Sequence, residues 1–315
     1  MLKKLRNIAS NIIVFSGLNA LCGFFLRNSL FVLPYHSIVS VPGRLDGFKE
    51  HITFSADEFE RQIAYLKRRG HTFLRMNEIA AASRLGIKKP TAIYFDDGYK
   101  DNLTVALPIL ERYSVPATLF VTTGFIDGTD IPWTMGYRSF LKSQDVPEIE
   151  WEKRIHALKT LSDNERERAI REEYERSGSD MPHDIKSLFL SWEEIKRLSD
   201  KGWEIGSHSV SHVRLSESVD VMLNMELAKS KQTIEHHIGA PVTSVSFPHG
   251  RFSDKVIDAV MKNGYSAAVS IGTGLNEQRI HVEPCYFFRN VPVRVGESFA
   301  SFKANLYFWN LFRPS

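Results

Sequence analysis

Thr91-Ala92-Ile93-Tyr94-Phe95-Asp96-Asp97-Gly98 is a short apolar run that stops on two acids and a glycine. The run reads as a buried strand, and the Asp-Gly pair as its end. Outward from it the pattern repeats. Residues 102–113 have helical spacing, and residues 117–121 form another strand-like run. Upstream, residues 30–33 are a short apolar run leading into Pro34-Tyr35-His36. Ser55-x-x-Glu58 is a capping box that opens a helical stretch through Arg69, closed by Gly70. Downstream, Ser191-x-x-Glu194 opens a helix that closes at Gly202, and residues 203–207 return as a strand. A helix at 219–238, a strand at 245–247, a helix at 254–263 and strands at 267–270 and 287–289 complete the alternation. Residues from about 133 to 190 are richer in charge and helical in pattern, which predicts a helical insertion covering one side of the core.

Repeated strand–helix alternation predicts a parallel α/β barrel or a doubly wound sheet. His36, Asp96, Asp97, His208 and His249 all follow the ends of strands. Barrels assemble their sites at the carboxyl ends of the strands, so this coincidence favours a barrel.

The composition permits that reading. The chain has 315 residues, 43% hydrophobic and 24% charged, enough to bury a large core in one unit. A formal charge of +3 is too small to argue for nucleic acid, but its distribution is uneven. Lys3, Lys4, Arg6, Arg27 and Arg44 all precede the first acid, Asp46, as suits an anionic membrane surface. Cys22 and Cys285 are the two cysteines, too few for a disulfide framework or for a zinc site of their own.

Residues 1–28 form a basic, apolar lead segment, set apart from a body of residues 29–315. Its apolar stretch, 12–26, is interrupted by Ser16, Gly17, Asn19 and Gly23, and falls short of the roughly 20 residues that span a bilayer. Phe24, Phe25 and Leu26 stand where a signal peptide would need small residues. Two readings stand side by side: a helix lying on the membrane, and a helix packed on the body. The C-terminal Phe302, Leu306, Tyr307, Phe308, Trp309, Leu311 and Phe312, beside Lys303 and Arg313, invite the same two readings. The expected location is the cytoplasm, peripheral at the membrane, with periplasmic and extracellular placement left open.

His208 and His212 are four residues apart, a spacing that puts two imidazoles on one face of a helical turn within reach of one ion. With Asp97 they make a His-His-Asp set that leaves coordination positions open, a catalytic arrangement. Zinc suits such donors, as do cobalt, nickel and iron.

The three segments Thr91–Gly98, His208-x-x-x-His212 and Phe247-Pro248-His249-Gly250, in that order, resemble the NodB-homology polysaccharide deacetylases. Flanking segments fit as well: Tyr99-Lys-Asp-Asn102, Pro116-Ala-Thr-Leu-Phe120 and Gly202-Trp-Glu-Ile-Gly-Ser-His208. The likeness runs from about residue 30 to 293. It implies a distorted (β/α) barrel with fewer strands than the eight-fold form. It also implies metal-dependent removal of N-acetyl groups from a sugar of a polysaccharide or glycolipid. Asp96 would be the general base, and Asp97, His208 and His212 the ligands of one divalent ion. The third motif usually reads Arg-x-Pro-Tyr and lends a backbone N–H to an oxyanion hole. Here Pro248 and His249 hold the last two positions, and Ser246 replaces the Arg; Arg289 is the expected substitute. The usual C-terminal Leu-x-His acid is missing. Pro34-Tyr35-His36-Ser37 resembles a permuted variant in which this histidine, His36, protonates the leaving amine. An O-acetyl esterase, a deacylase of lipid-linked sugars and an inactive glycan-binding barrel are the competing readings.

Overall fold

The computed structural model describes residues 2–40, 52–82, 85–179, 184–270, 281–282 and 285–311. Its strands are β1 (Phe31–Tyr35), β2 (Ser37–Val39), β3 (Thr53–Ser55), β4 (Thr72–Phe73), β5 (Pro90–Phe95), β6 (Thr118–Val121), β7 (Glu204–Ser207), β8 (Ser244–Ser246), β9 (Ala267–Ser270), β10 (His281–Val282) and β11 (Cys285–Arg289). The main sheet runs β1-β5-β6-β7-β8-β9-β11 with every one of these neighbours parallel; β10 lies antiparallel on β11, and β4 pairs with the start of β5. Spatial order follows chain order, so the sheet curls steadily in one direction. Just past β11, the Val291 N–H donates to the Val32 carbonyl on β1 at 2.7 Å and ties the two ends together. The result is a distorted (β/α) barrel.

Period-two alternation sorts each strand's side chains between two cores. Phe31, Leu33, Ile93, Phe95, Leu119, Val121, Ile205 and Ala268 face the outer helices. Val32, Ala92, Tyr94, Phe120, Ala267, Val269 and Phe288 face inward, where Met76, Ile79 and Ala82 of helix Met76–Ala82 fill the barrel. Both faces are buried, which is why these strands read in sequence as unbroken apolar runs. Ser55 caps helix Ala56–Arg68, accepting from the Glu58 N–H, and Ser191 forms a full capping box with Glu194 at helix Trp192–Asp200. Pro108 falls in the predicted helix at 102–113, whose first turn opens into a π-helix (Asn102–Ala106) before the α-helix Leu107–Arg112.

Toward the start of the strands, the inward-facing Glu204 carboxylate accepts from Ser244 Oγ at 2.7 Å, Thr118 Oγ1 at 2.9 Å and the Asn77 N–H at 3.0 Å. One turn of the row higher, Gly206 leaves room for the Phe120 ring. A Cβ at Gly206 would stand 2.5 Å from that ring and 2.7 Å from Ser244 Oγ. Gly206→Ala is therefore expected to destabilise the barrel by about 1–3 kcal/mol, as overpacking does, read from the urea midpoint at unchanged m.

Between β6 and β7 the chain forms helices Trp133–Ser143, Glu148–Lys159 and Asp163–Ser177, packed around Tyr137, Phe140, Leu141, Trp151, Ile155 and Leu158. Arg214, just past the candidate site, anchors this unit: its backbone N–H donates to Asp163, and its guanidinium to the Leu161 carbonyl.

The lead segment is two helices, Leu2–Phe15 and Leu18–Phe25, broken at Gly17, whose left-handed φ of 81° ends the first helix. The continuous helix expected from residues 12–26 is thus replaced by a bent pair. Both pack on the C-terminal helices Phe299–Leu306 and Phe308–Leu311. His71 is structural: its ring is buried between Thr91 Oγ1 and the Tyr307 hydroxyl, 2.7 Å from each, and burial holds it down to about 3 and so neutral.

Candidate active site

The inward-facing rows of the barrel run on past the ends of the strands, and there they become polar. Val32 and Pro34 lead to His36; Ala92 and Tyr94 lead to Asp96. Glu204 and Gly206 lead to His208, and Ser244 leads to Ser246. By the same alternation Asp97 should face the helix layer. Its left-handed φ of 76° re-aims it, which brings two consecutive carboxylates to one place. Ser209, His212 and His249 are also left-handed, with φ of 67°, 58° and 58°. Non-glycine residues in that region are uncommon, and clustering of this kind is typical of functional sites.

His208 and His212 do converge, but not through the helical turn their spacing predicted. Residues 208–213 form a loop. With Ser209 and His212 both left-handed, the loop doubles back and aims both rings inward. Three anchors hold it. Glu226, buried on helix Asp220–Ile238, accepts from the N–H groups of Val210 and Ser211 at 2.8 and 3.0 Å, and from Ser211 Oγ at 2.6 Å. The Thr123 and Gly124 N–H groups donate to the Ser209 and Val210 carbonyls. Ser209 Oγ accepts from the His212 N–H at 3.0 Å. Glu226→Ala would strand two backbone donors. It is expected to cost about 1–3 kcal/mol in chemical unfolding, and to weaken metal binding by roughly tenfold in a competition titration.

Asp97, His208 and His212 each offer one donor atom, all within 4.8 Å of one another. Asp97 Oδ1 lies 3.6 Å from His208 Nε2 and 3.5 Å from His212 Nε2. These separations are too long for hydrogen bonds and close to the roughly 3.3 Å expected between donors sharing a tetrahedral ion about 2 Å away. Asp97 Oδ1 is also buried without a hydrogen-bond partner. His208 Nδ1 lies 2.8 Å from the Ser246 carbonyl, which can only accept; Nδ1 therefore carries the proton, and Nε2 presents its lone pair to the centre. Burial lowers both histidines, His212 to about 4 against the pull of Asp97, so both rings are neutral. Burial opposes the Asp97 charge, but His212, His36, His208 and the Tyr99 hydroxyl together hold its carboxyl below the usual range. Two neutral imidazoles and one carboxylate with an unpaired oxygen fit a divalent cation.

Asp96 differs from its neighbour. Its Oδ1 is buried and unpartnered, 3.8 Å from His208 Nδ1. Burial raises it to about 7, opposed by His36, reinforced by Asp97 and opposed again by Ser246. Ser246, at the position where the resemblance implies an arginine, thus keeps a polar contact with this carboxylate. Arg289 ends β11 in register with Ser270, but its side chain lies outside the described residues.

His36 is half-buried, and its electrostatic neighbours include Asp96, Asp97 and His212. The segment after β5 fixes it: Asn102 Nδ2 donates to the His36 carbonyl at 2.7 Å, and Asp101 accepts from Ser37 Oγ and the Ile38 N–H. The His249 ring packs edge-on against His212 at 4.8 Å, and the preceding Pro248 is buried. Hence His36, Asp96, Asp97, His208, His212, Pro248 and His249 share the mouth of one barrel. Sequence reasoning missed Glu226, Asp101 and the contact from Ser246. Asp101 and Asn102 had a signal in Tyr99-Lys-Asp-Asn102; Glu226 had none.

A curled parallel barrel with two carboxylates and four histidines at its mouth has the make-up of a hydrolase. The chain belongs to the polysaccharide deacetylase family, whose profile matches residues 85–268. It is 24% identical over 277 residues to the YxkH protein of Bacillus subtilis, covering 87% of this chain and 74% of that one. It is also 24% identical over 267 residues to the poly-β-1,6-N-acetyl-D-glucosamine N-deacetylase of Staphylococcus epidermidis, covering 81% of this chain and 75% of that one. Among solved structures, a Streptococcus pyogenes deacetylase in complex with acetate superposes with a TM-score of 0.61 at 19% identity. That match covers 88% of this chain and 98% of that one, and it supports the fold.

Proposed function

We propose that this chain is a metal-dependent N-deacetylase that hydrolyses N-acetyl groups from the sugars of a polysaccharide. The observation that carries the reading is the convergence of Asp97, His208 and His212 on one point, with the unpartnered Asp96 Oδ1 beside it. Asp97, His208 and His212 would hold one divalent ion, zinc by preference, with cobalt, nickel or iron also suited to the donors. Such an ion supplies Lewis-acid chemistry, polarising a carbonyl and acidifying water.

The rest falls to the chain's own groups. Asp96 takes a proton from the attacking water, a role that suits a carboxylate raised toward neutrality by burial. The left-handed backbone at His249 offers its N–H to the developing oxyanion. His36, on the facing strand end, gives a proton to the departing nitrogen. Water adds, the C–N bond breaks, and acetate leaves a free amine on the sugar. Kinship with an enzyme that deacetylates poly-β-1,6-N-acetyl-D-glucosamine supports the amide reading over the ester one.

The test is release of acetate and free amine, in equal amounts, from N-acetylated oligosaccharides, run beside an aryl acetate ester. A phenolate leaves without protonation, whereas an amine does not. His36→Ala is therefore expected to slow the amide about 10²–10⁴-fold and the ester far less. Equal losses on both would make His36 structural. Wild-type turnover confined to O-acetyl substrates would overturn the N-deacetylase reading.

A further inference from the structure

The two N-terminal helices turn large apolar side chains outward while packing on the body partly through polar groups. Their inner faces set polar groups beside the buried Ile13 and Cys22. Arg6 donates to Asn305 at 2.6 Å and lies 3.9 Å from Glu297. The side-chain Oδ1 of Asn7 accepts from the hydroxyls of Ser298 and Ser301. Ser10 and Asn19 are buried, and Asn19 accepts from the Phe308 N–H. The outer faces are apolar. Leu5, Ile8, Ile12 and Phe15 on the first helix, and Leu18, Leu21, Phe24 and Phe25 on the second, are all exposed, Phe15 to 86% and Phe25 to 65%. Eight exposed large apolar side chains on one bent pair point to an apolar medium outside. The segment is too short for either helix alone to cross a bilayer.

We infer that this face lies on the surface of an anionic bilayer. Charge selects the lipid as occupant. The lead segment carries Lys3, Lys4 and Arg27 with no acid before Asp46, and the exposed Arg27 guanidinium sits 4.6 Å over the Phe24 ring, an aromatic–basic pair suited to the headgroup boundary. The placement also orients the enzyme. The Arg27 carbonyl accepts from the Lys89 N–H, just ahead of β5, and Gly23 packs on Tyr307, whose hydroxyl meets His71 just ahead of β4. The second helix therefore lies at the end of the barrel where strands begin, opposite Asp96, His208 and His212. A docked molecule holds its mouth toward solvent, so the glycan reaches it from the aqueous side. This last step rests on the site reading above.

The test is co-sedimentation of the full chain at low salt with vesicles of phosphatidylglycerol and phosphatidylcholine, a readout independent of turnover. Ile12→Glu with Phe15→Glu, and Leu21→Glu with Phe25→Glu, are each expected to lower the partition constant about tenfold or more while the thermal melt stays within a few degrees. Val221→Glu with Met225→Glu, equally exposed on helix Asp220–Ile238, should leave it within about twofold, as should Phe252→Glu near the mouth. A wild-type chain that ignores these vesicles overturns the inference. So does equal binding to pure phosphatidylcholine, or a dimer in solution that Ile12→Glu with Phe15→Glu dissociates, which would assign the face to a second copy. An equal loss in Phe252→Glu overturns the orientation. None of these results bears on whether the chain is a deacetylase.

Discussion

His208→Ala is expected to lose both its bound divalent ion and its turnover. The ring contributes one of three donors grouped around the buried Asp97 oxygen, and its Nδ1 bond to the Ser246 carbonyl fixes which nitrogen faces the centre. Removing a residue that merely orients a ligand typically costs roughly 10–100-fold in metal affinity, and removing the ligand itself should exceed that. His212→Ala should behave alike, since its Nε2 lies as near to Asp97 as that of His208. Elemental analysis after dialysis, beside a kinetic assay, reads both effects at once. Full metal content in either variant would remove that histidine from the ligand set.

Asp96→Asn should separate chemistry from binding. The amide keeps the shape and the polar contact with Ser246, but it cannot accept a proton. Turnover is expected to fall about 10²–10⁴-fold with the ion still held. Asp97→Asn is the mirror image: it weakens the donor that both histidines face, so metal content should fall first. Loss of metal from Asp96→Asn, with retention in Asp97→Asn, would exchange the two roles.

Much of this was legible in the sequence, for physical reasons. Parallel strands between two layers must be apolar throughout, so residues 91–95 and 118–121 stand out as strands. Ser55 and Ser191 mark helix starts because a side-chain oxygen must meet the first free N–H groups. The inward rows of period two carry His36, Asp96, His208 and Ser246 to one mouth. What escaped was whatever depends on backbone conformation or distant partners. Helical spacing described His208 and His212 correctly as neighbours but for the wrong reason, because left-handed Ser209 and His212 leave no mark in residue type. Glu226 holds the loop from 15 and 16 residues away, on a helix whose own pattern only says that it is buried. The two-residue strand Thr72–Phe73 and the plug helix Met76–Ala82 are too short for periodicity to register. Gly17 was visible as an interruption, yet its effect, turning one helix into two that pack on the C-terminal helices, needed those helices in view.

The measurement that bears most directly on the central claim is anomalous diffraction at the metal's absorption edge from crystals of the full chain. One peak is expected at bonding distance from Asp97, His208 Nε2 and His212 Nε2, with Asp96 near it but outside the ligand set. An ion bound elsewhere, or no peak from a preparation that releases acetate at full rate, would contradict the account.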